Sequence, residues 1–268
     1  MEEKMKIGFI GLGNMARAMI GGMLQRNIVE RDDIIGSART AETLENIHNI
    51  YGIGTRDSNA AVAKEAEILI LAVKPQFFQG VIEEIRDVVS EDALVISIAA
   101  GKTIAWIEAA FLKEIKLVRC MPNTPALVGE GCTGVCVNSR VSSEETALSL
   151  KLMESFGRAS LVPESLMDAV GAVSGSSPAF VFMFIEAMAD AAVAAGMPRA
   201  QAYEFAAQAV YGSAKLVLES GKHPGELKDM VCSPGGTTIQ GVRVLEEKGM
   251  RGAVIDALRA VVEQTRKL

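Results

Sequence analysis

The sequence predicts an α/β protein, an N-terminal Rossmann-like doubly wound parallel sheet followed by a C-terminal all-helical domain. Short apolar, β-branched runs alternate with helical periods from residue 6 to about 138, as in strands covered on both faces by crossover helices. The first run ends in Gly11-Leu12-Gly13-Asn14-Met15-Ala16, the pattern of a strand turning tightly into a helix. After Pro163 the strand-like runs stop, and stretches rich in Ala, Met, Val and Leu continue to the C-terminus.

Strands are expected at 6–11, 33–37, 68–73, 93–99, 116–121 and 134–138, with 160–162 closing the first half. Helices are expected at roughly 14–26, 40–48, 75–89, 103–111 and 142–157. The last is opened by Ser142 or Ser143, with Glu144 and Glu145 in its first turn. Pro178, Gly196, Pro198, Gly221, Pro224, Pro234-Gly235-Gly236 and Gly249 divide the second half. The stretch from about 178 to 195 is apolar on most faces, and such a helix must be buried all round. Roughly a hundred residues make only a thin core around it, so it is expected to pack against another subunit. The boundary between the halves falls at 162/163.

Composition excludes several classes. Of 268 residues, 49% are hydrophobic and 22% charged, enough for a sizeable core. The 33 acidic and 27 basic residues leave a net charge of −6, and one Trp, three Tyr and nine Phe offer few stacking platforms. Both facts argue against a nucleic-acid partner. Cys132 and Cys136 form a C-x3-C half site that neither Cys120 and Cys232 nor His48 and His223 complete, so no metal is expected. The cysteines read as small apolar fillers in a reducing compartment. Met121, Met183, Met188 and Met197 read as adaptable core fillers. The most lipid-like stretch, 178–197, contains Glu186 and Asp190, which are costly in a bilayer. Met1-Glu2-Glu3-Lys4 is acidic, unlike the start of a signal peptide. A soluble cytoplasmic protein without a membrane partner is expected.

The glycine-rich turn suits a dinucleotide. Gly11 makes the turn, Gly13 lets backbone approach a pyrophosphate, and Ala16 lets the helix pack close to the strand. The helix N-terminus offers N–H groups to the anion. Where an NAD enzyme usually carries an acid, the second strand ends in Ser37-Ala38-Arg39. Ser37 can hydrogen-bond a 2′-phosphate and Arg39 can pair with it, favouring NADP; alternatively, Arg39 solvates the start of the next helix. Lys74 ends the third apolar strand, where it either touches the cofactor or is solvated at the sheet edge, and Pro75 starts the next helix.

Further segments carry a more specific match. They are Ala72-Val73-Lys74-Pro75, Ala99-Ala100-Gly101, Arg119-Cys120-Met121-Pro122-Asn123-Thr124-Pro125, Ser174-Gly175-Ser176-Ser177-Pro178-Ala179, and His223 to Asp229 running into Ser233-Pro234-Gly235-Gly236-Thr237-Thr238. In this order and spacing they resemble the pyrroline-5-carboxylate reductases, from Lys6 to about Lys267. Many relatives carry glycine where this chain has Ser177. The resemblance implies an NADP-binding domain at 1–162 and a helical dimerisation and substrate domain at 163–268. It implies an interlocked dimer, with dimers commonly assembling into decamers. The implied reaction is hydride transfer from NADPH, or less readily NADH, to the C5=N carbon of 1-pyrroline-5-carboxylate, giving L-proline in the last step of its synthesis. By position, the cofactor contacts would be Gly11, Leu12, Gly13, Asn14, Met15, Ala16, Ser37, Arg39, Asn59, Ala72, Val73, Lys74, Pro75, Ile98, Ala99 and Ala100. The substrate would lie against Gly235, Gly236, Thr237 and Thr238 and near Glu164.

The residues are compatible with that chemistry. A protonated cyclic imine is already a good electrophile, so hydride addition needs alignment and a dry pocket more than acid catalysis. The second half accordingly lacks a His–carboxylate pair; His223, before Pro224, suits a turn. Gly235 to Thr238 can present backbone N–H groups to a carboxylate. The Thr238 hydroxyl, the candidate catalytic group, can orient the ring nitrogen or relay its proton. Alternatively, Thr237 and Thr238 cap the helix that follows. Glu164 either pairs with the iminium charge or is a first-turn helix acid. Two rivals share the opening. A β-hydroxyacid dehydrogenase-like NAD(P) enzyme usually depends on a mid-chain lysine and leaves Pro-Gly-Gly-Thr-Thr unexplained. A non-catalytic nucleotide-binding regulator predicts damage at Gly235 or Thr238, and both are present.

Overall fold

The computed structural model describes residues 5–267; the acidic opening at 1–4 lies outside them. The chain divides into two compact units, one comprising Met1–Ser176 with Val262–Leu268 and the other Ser177–Val261.

The first unit is built on one eight-stranded sheet. Its strands are β1 (Ile7–Ile10), β2 (Ile34–Ser37), β3 (Gly54–Arg56), β4 (Ile68–Leu71), β5 (Leu94–Ser97), β6 (Lys116–Met121), β7 (Gly131–Val137) and β8 (Gly157–Leu161). Its helices are α1 (Asn14–Gln25), α2 (Ala41–Tyr51), α3 (Asn59–Glu65), α4 (Phe78–Ile85), α5 (Ile104–Phe111), α6 (Ser143–Glu154) and the single turn α7 (Met167–Val170). The spatial order is β3-β2-β1-β4-β5-β6-β7-β8, so the winding reverses on either side of β1.

Alternate residues of each central strand enter opposite cores, as the period of two requires. Ile7 and Phe9, Ile68 and Ile70, and Leu94 and Ile96 join a cluster with Met19, Met23 and Leu152 from α1 and α6. Ile10, Leu69, Leu71 and Val95 face the other way, onto Val62, Phe78, Ile82 and Ile107 from α3, α4 and α5. Both faces are covered, which explains why these strands read as unbroken apolar runs.

The sheet differs from the expected all-parallel one at a single joint. β6 and β7 pair antiparallel, whereas the other pairings are parallel. The connection at 122–130 holds only a 3-10 turn, Thr124–Val128. A link that short cannot carry the chain back across the sheet, so the strand reverses. Two elements go beyond the sequence reading. β3 is three half-buried residues at the sheet edge, and α3 is seven residues opened by Ser58, whose hydroxyl accepts from Ala61 N at 3.2 Å. At α6, Ser142 rather than Ser143 is the cap, in a reciprocal box with Glu145.

The first unit ends later than the expected 162/163 boundary. Residues 163–176 are held to the sheet by Arg119–Glu164 at 2.8 Å and by Asn123 Nδ2 donating to Ser174 O at 3.0 Å. Arg266 reaches Asp168 at 3.4 Å and ties the C-terminal turn to the same unit.

The second unit contains α8 (Ser177–Ala194), α9 (Arg199–Ser220), α10 (Pro224–Met230), α11 (Thr237–Glu247) and most of α12 (Met250–Thr265). α8 packs on α9 through small residues, with Ala189, Ala202 and Ala206 buried. The expectation that α8 is buried all round fails within one chain, where Ala189 is its one buried residue. Phe182 and Met183 are exposed, so Met183 fills no core in the isolated chain. The helical stretch Glu164–Ala194 is long and apolar enough to cross a membrane by length and composition alone.

Gly157 opens β8 directly against Gly131, the first residue of β7. A Cβ at 157 would sit 2.1 Å from Gly131 O, and a backbone atom cannot yield. Gly157→Ala should destabilise the protein by about 3 kcal/mol, or roughly 10 °C in Tm, by thermal melting followed with circular dichroism. Gly80→Ala, where a Cβ meets nothing within 4 Å, should not lower Tm. Equal melts would show that β7 and β8 can part without cost.

Candidate active site

A groove of about 870 Å³ opens at the carboxyl edge of the sheet, over the ends of β1, β2 and β4. Gly11, Leu12, Gly13, Asn14, Ser37, Arg39, Asn59, Ala72, Val73 and Lys74 line it. The turn out of β1 is glycine-dependent. Gly11 has φ +93°, and a Cβ there would approach Val73 Cγ1 to 2.9 Å and the Ala72 carbonyl to 3.0 Å. At Gly13 a Cβ would meet open groove, and this residue is the N-cap of α1 with no side-chain hydrogen bond. The first-turn N–H groups of α1 are therefore presented to a ligand, in the arrangement that binds phosphate.

Other expected cofactor residues do not line the groove. Ala16 is buried in the core, so its side chain serves close helix–strand packing. Met15 packs against that same core. Pro75 begins the 3-10 turn Pro75–Phe77. Ile98, Ala99 and Ala100 follow β5 at the same sheet edge; Ala99 is buried, and its N–H is held by Ser97 Oγ at 3.3 Å.

Sequence reading missed Arg17, Asp57, Phe77 and Glu84 in the lining. Arg39 stacks its guanidinium over the Phe77 ring at 4.8 Å, which holds it at the groove wall. Thr40, not Arg39, opens α2, its hydroxyl accepting from Thr43 N at 3.3 Å. Ser37 is buried at the end of β2 and donates to Asn59 Oδ1 at 2.8 Å. Arg17, Arg39 and Lys74 outnumber Asp57 and Glu84, so the groove suits an anionic ligand with phosphates. No periodicity flags Phe77 or Glu84; only the fold turns those positions of the β4–α4 segment toward Ser37.

In the second unit, Gly235 has φ +69°, and a Cβ at Gly236 would lie 2.4 Å from Ser233 Oγ. Gly235 takes the left-handed backbone that the turn requires, while a larger residue at Gly236 would have to displace the Ser233 hydroxyl. Gly236 is the N-cap of α11 and provides no side-chain cap, which leaves Thr237 and Thr238 as its first two helical residues. The threonines therefore do not cap, and the first-turn N–H groups remain open to an acceptor. Thr238 is exposed. His223 is a turn residue, its Nδ1 accepting from Gly225 N at 3.1 Å as α10 begins.

Glu164 follows Pro163 as a first-turn acid, and its partners belong to the fold. Its Oε1 accepts from Arg119 Nη1 at 2.8 Å and from Ile104 N at 2.7 Å, at the start of α5. One carboxylate oxygen thus joins β6, the start of α5 and the segment following β8. Nearby, burial is the main cause that pushes the Cys136 thiol up to about 11, Glu164 adding to it and Arg119 opposing it. Burial likewise drives the Cys120 thiol far above its usual range. Neither is a thiolate nucleophile at neutral pH. Among the described residues no group of three His, Cys, Asp or Glu could hold a metal.

Arg119 is nearly fully buried, so Glu164→Gln leaves a buried guanidinium without its counter-charge. The expected cost is about 2 kcal/mol, against less than about 1 kcal/mol for Glu65→Gln in the more exposed Arg56–Glu65 pair. Chemical denaturation of the two variants side by side checks the difference, and equal losses would remove the Arg119–Glu164 pair as a structural anchor.

Residues 164–268 match the model described as pyrroline-5-carboxylate reductase dimerisation, and residues 6–101 match NADP oxidoreductase, coenzyme F420-dependent. The chain is 52% identical over 263 residues to the pyrroline-5-carboxylate reductase of Escherichia coli (strain K12), covering 98% of each. A solved pyrroline-5-carboxylate reductase from Coxiella burnetii superposes with a TM-score of 0.92 at 36% identity, over 99% of this chain and 98% of that one. The Plasmodium falciparum pyrroline carboxylate reductase, solved with NADP bound, gives a TM-score of 0.90 at 32% identity over 99% and 98%. The chain belongs to the pyrroline-5-carboxylate reductase family.

Proposed function

We propose that the chain reduces 1-pyrroline-5-carboxylate to L-proline, with NADPH as the preferred hydride donor and NADH as the poorer one. The observation that carries the reading is the pairing of two built features in one family member. They are a glycine-floored, basic groove at the first βα turn, and an uncapped helix start at Gly235–Thr238.

The groove fits a nicotinamide dinucleotide. Gly13 leaves room where its Cβ would stand, and the first turn of α1 has free N–H groups for a pyrophosphate. Ser37, Arg39 and Asn59 would hold the adenosine ribose, and Ala72, Val73 and Lys74 would border the middle of the cofactor. Ile98 to Ala100 would adjoin the nicotinamide. The bound cofactor supplies the hydride.

The protein's own tasks are modest. The N–H groups around Gly236, Thr237 and Thr238 take the substrate carboxylate, and the Thr238 hydroxyl orients the ring nitrogen. The nitrogen enters protonated and leaves as the secondary amine of proline, so no further acid is consumed at carbon. Glu164, engaged by Arg119 and Ile104, acts by fixing the start of α5 rather than by meeting the substrate. Residues 1–162 are assigned to cofactor binding and 163–268 to dimerisation and substrate, although 163–176 pack on the sheet unit. The exposed apolar residues of α8 and α9 support a homo-oligomer; we infer that it is an interlocked dimer able to build decamers, in the cytoplasm.

Loss of NADPH absorbance with 1-pyrroline-5-carboxylate, beside a panel of 3-hydroxy acids with NADP, tests the reaction. Turnover of the imine alone is expected. Activity on a hydroxy acid alone would transfer the chain to the dehydrogenase reading, and silence with NADPH still bound would favour a regulator. Thr238→Ala should cut turnover by roughly ten- to a thousandfold while NADPH binding is kept. Near wild-type rates would leave positioning to the backbone turn alone.

A further inference from the structure

Glu84 stands on α4 and contributes a carboxylate to the groove lining. It accepts from Asn59 Nδ2 at 2.5 Å, and Asn59 Oδ1 accepts from the Ser37 hydroxyl at 2.8 Å. Chemistry fixes the direction of this chain. An ionised carboxylate only accepts, so Asn59 turns its amide nitrogen to Glu84. Its carbonyl oxygen then faces Ser37, and the hydroxyl must donate to it. Ser37 Oγ is left with lone pairs for a ligand and no proton.

A ribose 2′-hydroxyl can donate to such an oxygen. The ionised oxygens of a 2′-phosphate only accept, and cannot. For Ser37 to serve a phosphate, its hydroxyl must swing away from Oδ1, whereas Asn59 keeps its second amide proton for either ligand. Glu84 resists that rearrangement by pinning the amide, and its charge opposes the phosphate beside Arg39, which favours it.

We propose that Glu84 is a specificity-determining positioning residue. Acting through Asn59 and Ser37, it holds the ribose subsite in an acceptor arrangement that tempers the preference for NADPH and keeps NADH usable. The proposal rests on the reading of this groove as the adenosine end of the cofactor site.

The test is Glu84→Gln in the full-length protein. Glutamine can accept or donate, so Asn59 becomes free to turn either way. Calorimetric titration with NADPH and with NADH, without substrate, gives both dissociation constants, and steady-state rates give kcat for each cofactor. The ratio of the NADH to the NADPH constant should rise roughly five- to tenfold, the scale of one reoriented hydrogen bond. Equal changes in both constants, or none, would overturn the proposal. Arg39→Ala run alongside separates the two layers. If it weakens NADPH alone while Glu84→Gln leaves the ratio fixed, the Glu84 proposal falls and the groove reading stands. If neither variant alters either constant, both fall. Should Glu84→Gln not fold, Ser37→Ala carries the test; it should weaken NADH more than NADPH, and an equal loss would overturn the inference.

Discussion

Everything at the cofactor edge depends on how closely the exit of β1 passes the exit of β4. Gly11 turns with a left-handed backbone inside contact distance of Ala72 and Val73, and only a residue without a Cβ satisfies both conditions. In register, Ile10 lies level with Ser37 on one side and Leu71 on the other. Three strand ends therefore meet where the winding of the sheet reverses, which is where doubly wound sheets hold their ligands. The floor of the groove is backbone, set by strand pairing and insensitive to rotamers. Discrimination then falls to the few side chains around it, among them Arg39 on Phe77 and the Ser37–Asn59–Glu84 chain.

A rigid floor suits a reaction that asks for alignment. The proposed substrate is activated by its own positive nitrogen, so strong acid–base machinery would add little. The molecule agrees: the buried thiols near Arg119 stay protonated, and the second-unit histidine is spent on a turn. The buried ion pair is better understood as support. Glu164 joins three chain segments, one of them the start of α5 just after the loop expected at the nicotinamide. Such pairs are seldom a net source of stability but are costly to break, and they fix one arrangement.

Much of this was legible before any coordinates. Ile7–Ile10, Ile68–Leu71 and Leu94–Ser97 are apolar at every position because both faces are covered, and that pattern survives in one dimension. The glycine turn announces itself because Gly11 and Gly13 are needed for steric reasons. The antiparallel β6–β7 joint was not legible, since strand direction is set by what the connection can span and residue pattern does not encode it. β3 and α3 were too short for a period to show. Glu84 and Phe77 belong to the site because α4 and its preceding turn face β2 across the groove, a relation carried by topology. Glu164 showed the converse limit, because a first-turn acid and a ligand-pairing acid look alike until Arg119 and Ile104 are placed beside it.

The second unit carries a different constraint. Ala189, Ala202 and Ala206 let α8 and α9 approach closely, while Phe182, Met183, Phe205 and Leu218 remain exposed on a single chain. Exposed large apolar side chains in such number point to an interaction face, and the matching dimerisation model spans that same region. In our reading, a second copy covers those faces. The turn at Gly235 and Gly236 that opens α11 lies in that unit, so the part proposed to take the substrate carboxylate is also the part least able to bury its apolar surface alone.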